Sequence, residues 1–120
     1  MTKILAVDDS ASMRQMVAFT LKSAGFEVTD ASDGDEALQI AQREAFDVVI
    51  TDVNMPNMDG ITLCKELRQL PSFKFTPILM LTTESSTEKK QAGRAAGATG
   101  WIVKPFNPDQ LLAVIKKVIR

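Results

Sequence analysis

The sequence predicts an α/β protein, a parallel sheet with helices on both faces. Three observations lead there. Short apolar runs and amphipathic stretches alternate five times along the 120 residues. Each run is of strand length and each stretch has helical spacing, the pattern of repeated strand–helix units. The connections are short, with no linker, internal repeat or low-complexity tract, and a parallel sheet built this way is covered on both sides.

The first strand is Ile4–Val7, entered from Lys3 and stopped by Asp8-Asp9. Met13, Met16, Val17, Thr20 and Leu21 then recur at helical spacing until Gly25 ends the pattern. Glu27–Ala31 reads as the second strand, with Val28 its main apolar residue. Asp33 and Glu36 make a start like a capping box, and Ala37, Leu38, Ile40 and Ala41 share one helical stripe. Val48-Val49-Ile50-Thr51 is the most strand-like run and ends at Asp52. Asp59-Gly60 opens a third helix with Ile61, Cys64 and Leu67 inward. The fourth strand is Ile78–Thr82, its start set by Pro77, which cannot donate to a ladder. The fourth helix, about Thr87 to Ala96, offers mostly Ala92, Ala95 and Ala96 for burial and contains Gly93. Trp101-Ile102-Val103 is the fifth strand. Pro108 stands at a first helical position with Asn107 as its cap. Leu111, Leu112, Ile115, Val118 and Ile119 line one face of the last helix.

Composition narrows the function. A 13.1 kDa chain with 45% hydrophobic and 24% charged residues is one globular domain, residues 1–120. Fourteen basic residues against fifteen acidic give a net charge of −1, so no general grip on nucleic acid or anionic membrane is expected. Cys64 is the single cysteine, which excludes an intramolecular disulfide and a thiolate zinc cluster. The chain has no histidine, which excludes a His-activated nucleophile, a His metal site and a phosphohistidine formed here. No apolar run approaches the roughly 20 residues that span a bilayer, and no secretory signal is recognisable. A cytoplasmic protein is expected.

The informative residues are polar and stand at strand ends. Asp8 and Asp9 follow the first strand and Asp52 the third. Open parallel sheets bind ligands at the carboxyl ends of their strands. If strands one and three are neighbours, three carboxylates converge, and either some stay protonated or they need a counter-ion, for which hard, oxygen-preferring magnesium is the natural guest. Thr82 closes the fourth strand and Lys104 the fifth. A hydroxyl, a cation and a metal around one carboxylate suit phosphoryl transfer, with the carboxylate as nucleophile and an acyl phosphate as product. Singly, each residue has a plainer reading: helix cap for Asp8-Asp9, turn for Asp52, solvated lysine for Lys104. The argument rests on their falling together at strand ends.

Val7-Asp8-Asp9-Ser10, Asp52-Val53-Asn54-Met55-Pro56-Asn57-Met58-Asp59-Gly60, Leu81-Thr82-Thr83-Glu84 and Lys104-Pro105-Phe106, in this order and spacing, resemble the receiver domain of two-component response regulators, of the stand-alone chemotaxis type. The resemblance covers the whole chain. It implies a flavodoxin-like, three-layer (βα)5 fold with strand order 2-1-3-4-5, which places strands one and three side by side. It implies that Asp52 is the phosphoacceptor. Asp9 and Asp52 would be direct ligands of Mg2+ (or Mn2+ as a substitute), Asp8 would act mainly through water, and the Asn54 backbone carbonyl would complete the site. Thr82 is the implied switch hydroxyl and Lys104 the implied partner of the phosphoryl group, with a cis peptide bond to Pro105. Asn54 and Glu84 occupy the positions that tune dephosphorylation, and their pairing implies a short-lived signal.

Two departures stand out. The switch aromatic, usually Tyr or Phe, is Trp101, and the residue after the acceptor is Val53, where the chemotaxis type carries tryptophan. The implied function is phosphoryl acceptance from a histidine kinase, then a change of the surface made of helix four, strand five and helix five, with Trp101 reporting its state. No conventional enzyme activity is implied beyond self-catalysed phosphorylation and dephosphorylation. The implied partners are a chemotaxis-type kinase, an output protein such as a flagellar motor switch component, and a phosphatase. The chain is expected to be monomeric, with phosphorylation-linked dimerisation left open. Lys89, Lys90, Lys116, Lys117 and Arg120 give the output side basic character, so a partner there would carry acidic groups. A phosphorelay shuttle, a phosphate sink and a phosphorylation-independent binding module remain the alternatives. A flavin carrier would need a phosphate-cradling loop where Asp8-Asp9 stands, and an aspartyl phosphohydrolase would need Asp-x-Asp. No DNA-binding output is expected within 120 residues.

Overall fold

The computed structural model describes residues 2–83, 86–104 and 106–119. Strands β1 (Lys3–Val7), β2 (Glu27–Ala31), β3 (Val48–Thr51), β4 (Ile78–Thr82) and β5 (Gly100–Val103) alternate with helices α1 (Ala11–Ser23), α2 (Gly34–Arg43), α3 (Gly60–Arg68), α4 (Thr87–Ala95) and α5 (Pro108–Val118). The sheet is wholly parallel in the order β2-β1-β3-β4-β5. The expected α/β class, the strand order and the neighbouring of β1 with β3 are therefore observed.

Strand alternation divides the core. Leu5, Val7, Val49, Ile78 and Met80 face one way and pack with Ala37, Ala41, Leu63, Cys64 and Leu67 of α2 and α3. Ile4, Ala6, Val48, Ile50, Leu79, Leu81 and Ile102 face the other way and pack with Val17, Leu21, Leu111 and Ile115 of α1 and α5. Both sheet faces are thus apolar, which is why the strands read as continuous apolar runs.

The caps hold where the sequence placed them. Asp33 accepts from the Glu36 amide at 2.9 Å and Asp59 from the Thr62 amide at 2.7 Å. Asn107 accepts from the Gln110 amide at 2.6 Å, with Pro108 first in α5. The capping box of α2 is shifted by one residue. The Glu36 carboxylate accepts from the Ser32 amide, not the Asp33 amide, at 2.6 Å.

Two apolar readings change. Met16 is 48% exposed although it shares the spacing of the α1 stripe, because Val17 and Leu21 face the sheet and Met16 falls at the stripe's edge. In α4, Ala92 and Ala95 are exposed and Gly93 is the buried residue, with Ala96 following the helix in the core. A short 3-10 turn at Pro71–Phe73, not read from sequence, buries Phe73 between α3 and β4. Among the described residues, no helix is long and apolar enough to cross a membrane.

Candidate functional site

Asp8, Asp52 and Lys104 each stand one residue past a strand, and their amides continue the ladders. Asp8 donates to the Ala31 carbonyl at 3.2 Å, Asp52 to the Val7 carbonyl at 3.0 Å and Lys104 to the Thr82 carbonyl at 2.8 Å. The sheet therefore fixes the backbone beneath each of these three side chains. Gly60 lets α3 start directly against β3, because a side chain there would run into the Asp52 carbonyl oxygen.

The three carboxylates meet as expected. Asp8, Asp9 and Asp52 each offer an oxygen, and these lie within 4.8 Å of one another. At such separations each pair repels on the order of 3 kcal/mol at an effective dielectric near 20. Lys104 offsets part of this. Its Nζ donates to Asp8 Oδ2 at 2.8 Å and lies 3.5 Å from Asp52 Oδ2. The remaining Asp8 oxygen accepts from the Ser10 amide at 2.9 Å, and Asp52 Oδ1 accepts from the Val53 amide at 2.7 Å. Asp8 and Asp52 are buried and Asp9 is exposed at the rim. One ammonium against three carboxylates leaves two negative charges, so the donor set fits a hard divalent cation held by oxygen.

Thr82 is fully buried, and it shares a sheet face with Met80 and Trp101, which pair in register. Trp101 is half-buried against the α2–α3 core. Asn54 is exposed in the loop that follows Asp52. Glu84, the Pro105 peptide bond and Arg120 lie outside the described residues. Lys89, Lys90, Lys116 and Lys117 are all exposed.

Sequence reasoning missed Arg14. Its Nη1 donates to the Asp8 carbonyl at 2.7 Å and its Nε faces Asp30 at 3.3 Å. It thereby ties α1 to the ends of β1 and β2. Its only sequence signal is an arginine in the first turns of a helix, which ordinarily reads as solvated. A concavity of about 570 Å³ lies elsewhere, at the amino ends of the strands among Phe46, Pro71, Phe75 and Ile119. It holds none of the predicted site residues.

Comparison with known proteins agrees with this geometry. The family model described as the response regulator receiver domain matches residues 4–116. The structure of the chemotaxis protein CheY4 of Vibrio cholerae is 60% identical, covers 99% of both chains and superposes with a TM-score of 0.96. The receiver domain of the sensor histidine kinase PA1611 of Pseudomonas aeruginosa PAO1, solved with a magnesium ion in its active site cleft, is 27% identical over 97% of this chain and 95% of that one, with a TM-score of 0.90. Among curated relatives, the alkaline phosphatase synthesis transcriptional regulatory protein PhoP of Bacillus subtilis is 42% identical over 118 residues, 98% of this chain and 48% of PhoP. The chain spans about half the length of such curated relatives. With a parallel sheet in this order, carboxylates and a lysine gathered at its carboxyl end, and a family match across nearly its whole length, the chain belongs to the response regulator receiver domain family.

Proposed function

We propose that this receiver domain accepts a phosphoryl group on Asp52 from a histidine kinase in a magnesium-dependent reaction. The observation that carries this reading is the single ammonium of Lys104 bridging Asp8 and Asp52 beside the exposed Asp9. Asp9 and Asp52 would hold the ion directly, Asp8 through water, and the Asn54 carbonyl would complete the set. The bound ion would neutralise carboxylate and phosphoryl oxygens. The Asp52 oxygen attacks phosphorus, a P–O bond forms, and the P–N bond to the donor imidazole breaks as the imidazole leaves with a proton. Lys104 then pairs with a phosphoryl oxygen, and the Thr82 hydroxyl donates to another. Asn54 and Glu84 set how fast water reverses the step.

The α4–β5–α5 face binds the output partner in this reading, and Trp101 reports its state. Similarity to CheY4 along the whole chain supports a chemotaxis output such as the flagellar motor switch, in the cytoplasm. The PhoP-like relatives support a second reading, a receiver that serves a transcription regulator.

Intact mass after incubation with acetyl phosphate, with and without magnesium, tests the chemistry. One phosphoryl group is expected on the wild type with magnesium and none on Asp52→Asn. A gain that survives Asp52→Asn would sink the assignment.

A further inference from the structure

The loop that joins β3 to α3 follows Asp52 directly and carries Asn54. Its two ends are fixed by backbone bonds. The Asp52 amide pairs with β1, and the Gly60 amide donates to the Val53 carbonyl at 2.8 Å. Thr51 Oγ1 donates to the Asp52 carbonyl at 2.9 Å, and Asp59 caps α3. These bonds close the base of the loop and do not reach its tip.

The tip is a tight turn. The Met58 amide donates to the Pro56 carbonyl at 2.8 Å, which leaves Asn57 at the centre of three residues. Asn57 has a φ of +70°, and among the described residues no other non-glycine has a positive value. A three-residue turn of this hand is rare and strained, although asparagine tolerates the left-handed region better than most residues. Strain of this kind persists where neighbouring structure holds it.

Helix α2 is that neighbour. Asn57 Nδ2 donates to Asp33 Oδ2 at 3.3 Å. The other oxygen of the same carboxylate, Oδ1, accepts from the Glu36 amide at 2.9 Å and caps α2. Beside it stands Gly34, the buried first residue of α2. A Cβ there would come within 2.7 Å of both Cβ and the carbonyl oxygen of Met58, so the helix start and the loop tip meet without a side chain between them. One carboxylate thus fastens the helix and the loop together. Asn54 lies between the closed base at Val53 and this held tip.

We propose that Asp33 and Asn57 latch the loop to α2 and thereby hold the stretch that supplies the Asn54 carbonyl to the bound ion. Both are positioning residues, and neither belongs to the acidic cluster of Asp8, Asp9 and Asp52. The service to the ion rests on the magnesium reading of that cluster; the latch between loop and helix does not.

Two measurements on the full chain test this together: calorimetric titration with magnesium, and amide hydrogen exchange of Met58 in magnesium-free protein. Asn57→Gly keeps the left-handed backbone and loses the amide side chain. Asp33→Ser keeps a helix cap and loses the second oxygen. Each should raise the magnesium dissociation constant by about threefold or more and speed Met58 exchange, with the β3 amides still protected. The double exchange Asp33→Asn with Asn57→Asp reverses the bond, since asparagine caps a helix and aspartate tolerates the turn. It should restore both values toward wild type, which a residue needed only for the turn would not do. Wild-type affinity in both single variants would overturn the proposal. So would weakened affinity with Met58 exchange unmoved, or a double exchange that binds no better than Asn57→Gly. If Met58 exchange quickens and the affinity holds, the latch does not serve the ion and the proposal fails. If the wild type takes up no magnesium, the metal reading fails, and Met58 exchange alone then decides the latch.

Discussion

Helices α3 and α4 are both nine residues long, yet they are held in opposite ways. Helix α3 buries Gly60, Ile61, Leu63, Cys64 and Leu67, so its own side chains anchor it. Helix α4 buries only Gly93, which lies against the Trp101 ring, and the Arg68 guanidinium and Cys64 thiol of α3 bond the carbonyls that follow it. Burial of large apolar side chains commits a helix to one position, because each contributes on the order of 2 kcal/mol and the core tolerates little displacement. Polar bonds and one ring contact leave a helix cheaper to move. The difference makes α3 the more firmly anchored of the two helices.

Substitutions in the two helices should separate accordingly. Leu67→Ala in α3 should lower unfolding free energy by about 2–5 kcal/mol in denaturant titration, since Leu67 is fully buried. A loss under about 1 kcal/mol would break the contrast. A smaller effect should come from pH at Cys64. Burial raises this thiol above its ordinary value of 9.0, with Arg68 opposing the rise. The folded form therefore keeps a proton that the unfolded chain gives up. The contribution is full below about pH 9 and is lost as pH rises through the higher folded value. Wild type should lose stability more steeply than Cys64→Ala above that point, and parallel curves would contradict it. The smallest effect belongs to the outer part of α4. Lys89→Ala should change stability by no more than about 0.5 kcal/mol, because Lys89 is exposed and lies before the seat at Gly93. A larger loss would show that the amino half of α4 is anchored after all.

The same contrast explains what sequence could reveal. Strands and the apolar face of α3 were legible because burial on both sheet faces writes long apolar runs and helical stripes. The acidic centre was legible as well, since Asp8, Asp52 and Lys104 each follow a strand directly. Strand order was not, and it came from family resemblance, because periodicity says which residues face a core but not which strands adjoin. In α4, alanine spacing pointed to Ala92 and Ala95, but the indole of Trp101 takes the space beneath the helix and only a glycine fits against it. Arg68 and Arg14 could not be read because most of their partners are backbone carbonyls, which leave no residue-type signature. The exposure of Phe19, at 72%, likewise has no counterpart in the spacing of α1.

The bridge from Lys104 to Asp8 spans 96 residues of chain. On a ribosome the acidic residues emerge well before the ammonium. Until β5 docks, Asp8 and Asp52 have no lysine to meet, and burying them together would be strongly unfavourable. The carboxyl end of the sheet should therefore stay open and hydrated until Lys104 arrives. The charge that serves the finished site also ties its completion to the order in which the chain is made.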